Sequence, residues 1–245
     1  MKKLLVVTIA LSLCFTNSYS QGIQGLLNKV KSAAPGGSGK SGLSSDDIVS
    51  GLKEALRVGT DSSVSKVSKV DGFFGDAAIK ILMPPEAQKA EKTLRSMGMG
   101  SLVDKAILSM NRAAEDASRG IGDVFWNAIK NMSITDGLQI LQGSDTAATS
   151  YLRKNTTNQL TVKFRPVIDS SMKKVDVTKY WSDVFTAYNK VPFTHPVNTD
   201  LVGYVTNKAL AGLFYNIGLE ETQIRQNPAA QVTDILKKVF DHYTD

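Results

Sequence analysis

Between residues 102 and 132, Val103, Ala106, Ile107, Met110, Ala113, Ala114, Ala117, Ile121, Val124, Phe125, Ala128 and Ile129 recur at the spacing of one helical face. A stripe that long has to be buried by other elements, so it predicts a long central helix, with Gly120 and Gly122 as places where it bends. The same period runs from Leu43 nearly to the C-terminus. The one strand-like alternation, Leu160-Thr-Val-Lys-Phe164, is followed by Pro166 and has helical flanks, which favours helix there too. The expected architecture is all-α: a single multi-helix bundle over 43–245 around the long central helix.

Local signals divide the bundle further. Ser44-x-x-Asp47 caps a first helix, whose stripe is interrupted near Gly59-Thr60-Asp61; Gly72-Phe-Phe-Gly75 is a turn, and Pro84-Pro85 stop the apolar run that begins at Ile79. Further helices are expected over 86–97, 133–141, 146–153, 159–173, 177–188 and 200–215. Ser133-x-x-Asp136 caps the second of these. The last helix has Asn227 as its cap and Pro228 at its first position, then Val232, Ile235, Leu236, Val239, Phe240 and Tyr243 on one face.

The first twenty residues read as a secretory signal: Lys2 and Lys3, an apolar run from Leu4 to Phe15, then small residues at Ser18 and Ser20 for cleavage before Gln21. The run is shorter than the roughly 20 residues needed to span a bilayer. Cys14, the only cysteine, lies inside it, but Leu13 stands where a lipoprotein signal carries a small residue, so cleavage is favoured over acylation. The expected destination is the periplasm. The mature chain then has no thiol for a disulfide, a nucleophile or a metal.

Residues 21–42 form a short amphipathic segment, with Ile23, Leu26, Leu27 and Val30 at helical spacing, followed by a Gly/Ser/Pro tether. Ala34 to Ser41 match the loosest phosphate-loop pattern. No buried strand delivers the glycines and a separately capped helix starts at Ser44, so the tether is the better reading. The formal charge of +6 includes the two signal lysines and is dispersed, with no basic block interleaved with aromatics, which argues against nucleic acid. A weak attraction to anionic membrane surfaces is compatible with it.

Catalytic chemistry finds little to stand on. Of the two histidines, His195 lies in a Pro-rich loop and His242 close to the C-terminus, and neither belongs to a metal-binding or nucleophilic motif; no catalytic residue, metal or cofactor is assigned. Two polar sets remain as a ligand site or a structural network: Asn111, Arg112, Glu115 and Arg119 on the 102–132 helix, and Glu221 with Arg225 one helical turn apart. On a wheel Arg112, Glu115, Asp116 and Arg119 gather opposite the alanines. That face is either solvated or covered by a second element that pairs its charges.

Asp71-Gly-Phe73, Ile79-Lys-Ile-Leu-Met-Pro84, Asn111-Arg-Ala-Ala-Glu115, Ala147-Ala-Thr-Ser-Tyr-Leu-Arg153, Gly212-Leu-Phe214 and Glu221-Thr-Gln-Ile-Arg-Gln-Asn-Pro228, in this order, resemble domain-of-unknown-function family 4197. The resemblance covers about residues 43–241. It implies a bacterial protein, exported or lipid-anchored, of no established activity, and supplies no catalytic residues. The function expected is a non-enzymatic periplasmic domain that binds an unknown protein or small ligand. The alternatives are a membrane-surface protein and an enzyme using the Arg112/Glu115 face.

Overall fold

The computed structural model describes residues 44–174, 177–190 and 200–226. The signal, the amphipathic segment, the tether, His195, His242 and the helix expected after Asn227 lie outside the described residues. Those described form eight α-helices, one short 3-10 turn at Pro85–Ala87 and no strand.

Helix α1 (Ser45–Val67) begins where the Ser44 hydroxyl accepts the Asp47 amide at 3.2 Å, with Asp46 and Asp47 against the positive end of the helix dipole. The break expected at 59–61 does not occur. Thr60 and Ser63 donate their hydroxyls to the carbonyls of Leu56 and Gly59, both at 2.8 Å, so this polar stretch is satisfied within the helix and can be buried. A turn follows in which Asp71 takes the left-handed conformation (φ 65°), and the chain runs on, non-helical, through the buried Ile81 and Met83.

Helices α2 (Gln88–Ser96), α3 (Gly100–Ala117) and α4 (Gly122–Lys130) come next. The single long helix over 102–132 is therefore two. Ser118 closes α3 with its amide and hydroxyl on the Ala114 carbonyl, and Gly120 then turns left-handed (φ 72°). A left-handed residue cannot propagate the α-helical hydrogen bonds, so the apolar stripe continues on a separate element instead of a bent one.

Helix α5 (Ile134–Leu141) carries the expected capping box: Ser133 Oγ accepts the Asp136 amide, and Asp136 accepts the Ser133 amide, both at 3.1 Å. The segments expected at 146–153 and 159–173 are one 28-residue helix, α6 (Ala147–Lys174). Leu152, Thr156, Leu160, Phe164, Ile168 and Met172 all face inward at four-residue spacing. Pro166 sits inside α6 on its solvent side, so the Val162 carbonyl that loses its helical donor stays within reach of water. The alternation at 160–164 misleads because Val162 is 75% exposed on the outer face.

Helices α7 (Val177–Asn189) and α8 (Leu201–Gln226) complete the described chain. α8 is longer than expected and carries Glu221 and Arg225 in its last turns. The central element is α6, which packs against α3, α4, α5, α7 and α8. Around it lies one core, with Phe73, Phe125, Phe164 and Phe214 at most 1% exposed. Phe125 and Phe214 meet edge to face at 5.9 Å. Among the described residues no helix is long and apolar enough to cross a membrane.

Candidate functional site

Asn111, Arg112 and Glu115 of the first polar set belong to the second half of α3, where the non-helical segment from Ser68 to Pro84 crosses it, and Arg119 follows the helix end. The turns of that segment pair some of its amides internally, but those of Phe73, Phe74 and Ile81 take acceptors from α3. Asn111, 0% exposed, supplies one set: Oδ1 accepts the Ile81 amide and Nδ2 donates to the Ile81 carbonyl, both at 2.8 Å, in imitation of a strand partner. A second donation goes to the Ile107 carbonyl, also at 2.8 Å.

One turn further along α3, Glu115 is 2% exposed. Its Oε1 accepts the Phe73 and Phe74 amides, both at 3.1 Å, and its Oε2 accepts Arg112 Nη1 at 2.7 Å. Arg112 also reaches Asp71 at 2.8 Å across the turn. The hydrogen bond to Glu115 is the main influence raising the Arg112 pKa, against the opposing effect of partial burial and with help from Asp71. A buried carboxylate is tolerable only when each oxygen is engaged, and here both are. The side opposite the alanines is thus covered at Glu115 by the 71–74 turn. Solvent returns at Arg119, whose contacts are Asp116 at 3.3 Å and a long bond to the Ser68 carbonyl at 3.5 Å.

The second set has the same logic on α8. Glu221 accepts the Ala148 amide at 2.8 Å and both the amide and hydroxyl of Thr149 at 2.7 Å. It therefore occupies the amide-rich start of α6, where a negative charge is favoured. Arg225 donates to Glu221 Oε1 through Nε at 3.1 Å and Nη2 at 3.0 Å, and from Nη2 to the Ile140 carbonyl at 2.7 Å near the end of α5. The pair joins one helix start and one helix end to α8.

Among the described residues no hydrogen bond or ion pair links the two sets, and the first set does not line the cavity beside the second. Each closes on the protein's own backbone. The cavity beside Glu221 and Arg225 measures about 30 Å³, water-sized at most. No group of three or more His, Cys, Asp or Glu side chains able to hold a metal occurs among the described residues.

Concave surface of ligand size is found away from both sets. Two adjoining depressions of about 460 and 500 Å³ run between the outer face of α6 and the start of α8, sharing Thr161, Arg165 and Asp200. The first is walled by Val162, Pro166 and Val202, the second by Pro85, Glu86 and Tyr204. Asp200 accepts the Gly203 amide at 2.9 Å and Arg165 Nη2 at 2.8 Å. These two contacts, the amide first, hold the Asp200 pKa below the ordinary carboxylate value. Gly203 permits the arrangement: a Cβ there would stand 2.5 Å from Asp200 Oδ2. Little in the sequence marks this groove. Its one legible signal was Pro166 inside a helical pattern, and the partners that α6 meets there, 35 residues or more away in the chain, leave no local trace.

What fold and polar networks define together is an all-α bundle in which paired Arg and Glu side chains clamp helix ends and a turn. The chain belongs to DUF4197, a family of proteins of unknown function, whose model matches residues 42–241. No curated protein and no solved structure matches it.

Proposed function

We propose that this is an exported, periplasmic binding protein without catalytic activity, and that its binding face is the groove between α6 and α8. Export rests on the basic, apolar and small-residue succession of the first twenty residues, and fits the exported character that the family resemblance implies. The observation that carries the binding reading is the contrast between two kinds of polar group. The carboxylates of Glu115 and Glu221 are buried and engaged by the backbone, leaving no oxygen for a substrate. Arg165 and Asp200 keep 53% and 59% of their side-chain surface open, in a concavity within the usual size range of ligand sites.

Site-directed photocrosslinking in cells tests this reading. A photoreactive residue at Val162 is expected to capture a discrete partner or ligand, whereas one at Ile134, exposed outside the groove, captures none. Equal labelling at both positions argues against a binding face on α6. Fractionation of the same cells, with the N-terminus of the mature form determined, tests export: a periplasmic form starting at Gln21 is expected, and a cytoplasmic form retaining Met1 overturns it.

A further inference from the structure

Helix α8 keeps one face that no other described element covers. Along it Ala211, Tyr215 and Leu219 follow one another at one-turn intervals, and the two large side chains are each 46% exposed. The neighbouring faces are occupied: α1 brings Gly59 against Ile224, α6 brings Thr149 against Gly218, and Phe73 lies against Gly212.

The chain that follows carries a matching stripe. α8 is described to Gln226, and Asn227-Pro228 then disfavours its continuation, because the residue before a proline is pushed out of the helical region and the proline has no amide to donate. Residues 228–243 lie outside the described portion. Their sequence puts Val232, Ile235, Leu236, Val239, Phe240 and Tyr243 on one helical face and Asp234, Lys237, Lys238 and Asp241 on the opposite one. Two helices joined by so short a connection lie side by side and antiparallel. Counted outward from Asn227, Leu219 and Ile235 are each eight residues away, Tyr215 and Val239 twelve, and Ala211 and Tyr243 sixteen. The two stripes therefore come level position by position.

The polar face favours this occupant over others. A helix lying on an anionic membrane carries mainly Lys and Arg there, whereas Asp234, Asp241 and Asp245 outnumber Lys237 and Lys238. A second copy has to compete with a segment already tethered beside the stripe, at an effective concentration of about millimolar order. We propose that residues 228–243 fold back on α8 as an antiparallel helix, closing Tyr215 and Leu219 under Val239 and Ile235. Tyr243 then lies over Ala211, one turn from Asn207 on the wall of the α6/α8 groove, which stays open.

Crosslinking and proteolysis of the full chain, with Cys14→Ser to remove the native thiol, test this. The pairs Leu219→Cys with Ile235→Cys and Tyr215→Cys with Val239→Cys are expected to be joined within one chain by a short bis-maleimide, at least about tenfold faster than Ile134→Cys with Ile235→Cys. Trypsin is expected to cut after Lys237 and Lys238 at least about tenfold more slowly than after Lys40 in the tether, and Leu219→Asp is expected to abolish that protection. Fast joining of both pairs within single chains supports the proposal. Joining at Ile134 just as fast overturns it, as does joining only between chains, which would give the face to a second copy. Failure of both pairs, cleavage at Lys237 as fast as at Lys40, or protection that survives Leu219→Asp each overturns it as well.

Discussion

Glu221 and Arg225, one turn apart near the end of α8, grip opposite ends of two other helices: the carboxylate holds the first amides of α6 and the guanidinium the Ile140 carbonyl near the close of α5. Each charge meets the helix end that favours it. With side chains only 5% and 10% exposed, the pair is poorly screened by water. Removing one partner is therefore a different event from removing a surface ion pair.

Glu221→Ala is expected to destabilise the protein by about 3–5 kcal/mol, because it takes the buried carboxylate away from the Arg225 guanidinium and from the Ala148 and Thr149 amides together. Glu221→Gln should cost less, since it retains an acceptor oxygen. Urea unfolding followed by circular dichroism measures both. A loss for Glu221→Ala within about 0.5 kcal/mol, the range of ordinary surface substitutions, would show that the clamp holds nothing.

At Asn111 the expected result is local before it is global. Asn111→Ala leaves the Ile81 amide and carbonyl without partners, at about 1–3 kcal/mol for each buried group left unsatisfied. Hydrogen exchange at the Ile81 amide should accelerate by more than that at the amides of α6. Uniform acceleration across the bundle would contradict the role assigned to this side chain.

Arg112 and Glu115 should be coupled. Glu115 is held by Arg112 and by two amides at once, so Arg112→Ala and Glu115→Gln should sum to more than the double variant loses. A coupling energy of about 0.5–3 kcal/mol is the range for residues in one network, and simple additivity would mean that the Phe73 and Phe74 amides satisfy the carboxylate without the arginine.

Two glycines separate strain from collision. Gly120→Ala meets no atom within 4 Å, so its cost is the left-handed backbone alone, about 1–2 kcal/mol. Gly203→Ala drives a methyl group into Asp200 and displaces it from Arg165. The ion pair is exposed and contributes at most about 1 kcal/mol, so the larger loss is the Asp200 cap on the Gly203 amide, about 0.5–2 kcal/mol. Thermal melts measure both losses, and faster hydrogen exchange at the Gly203 amide, expected for Gly203→Ala alone, distinguishes the two.

Acid should loosen the start of α5. The Ser133 hydroxyl, and next its amide, hold the Asp136 pKa below the ordinary carboxylate value. A folded-state pKa below the unfolded one means that the contribution is present above the ordinary carboxylate range and is lost as pH falls through the folded value. Ser133→Ala removes the larger influence, so it should lessen the stability lost between neutral and acid pH. An unchanged pH profile would show that the box does not bear on folding.

Helix content was readable where the deciding contacts are local. The Ser44 and Ser133 caps satisfy amides three residues away, and the inward faces of α1, α3 and α6 repeat at helical intervals, so periodicity and capping identify them from the residues alone. Asn111, Arg112, Glu115, Glu221 and Arg225 stood out as polar letters in apolar helices. Their partners did not, since Glu115 meets Phe73 across 42 positions and Glu221 meets Ala148 across 73. A helical wheel places such a residue on a face and has no information on what covers that face.

The sequence by itself determined an all-α chain, its main helical faces and the two sets of charges, because these follow from spacing and from hydrogen bonds a few residues long. Tertiary structure decided that the stripe over 102–132 divides at Gly120, that α6 continues through Pro166 and takes the central place, and that both charge sets turn inward onto backbone. Those outcomes depend on which distant segment buries which face. Burial then sets whether a carboxylate such as Glu115 must be fully paired or, like the exposed Glu86, is left to water.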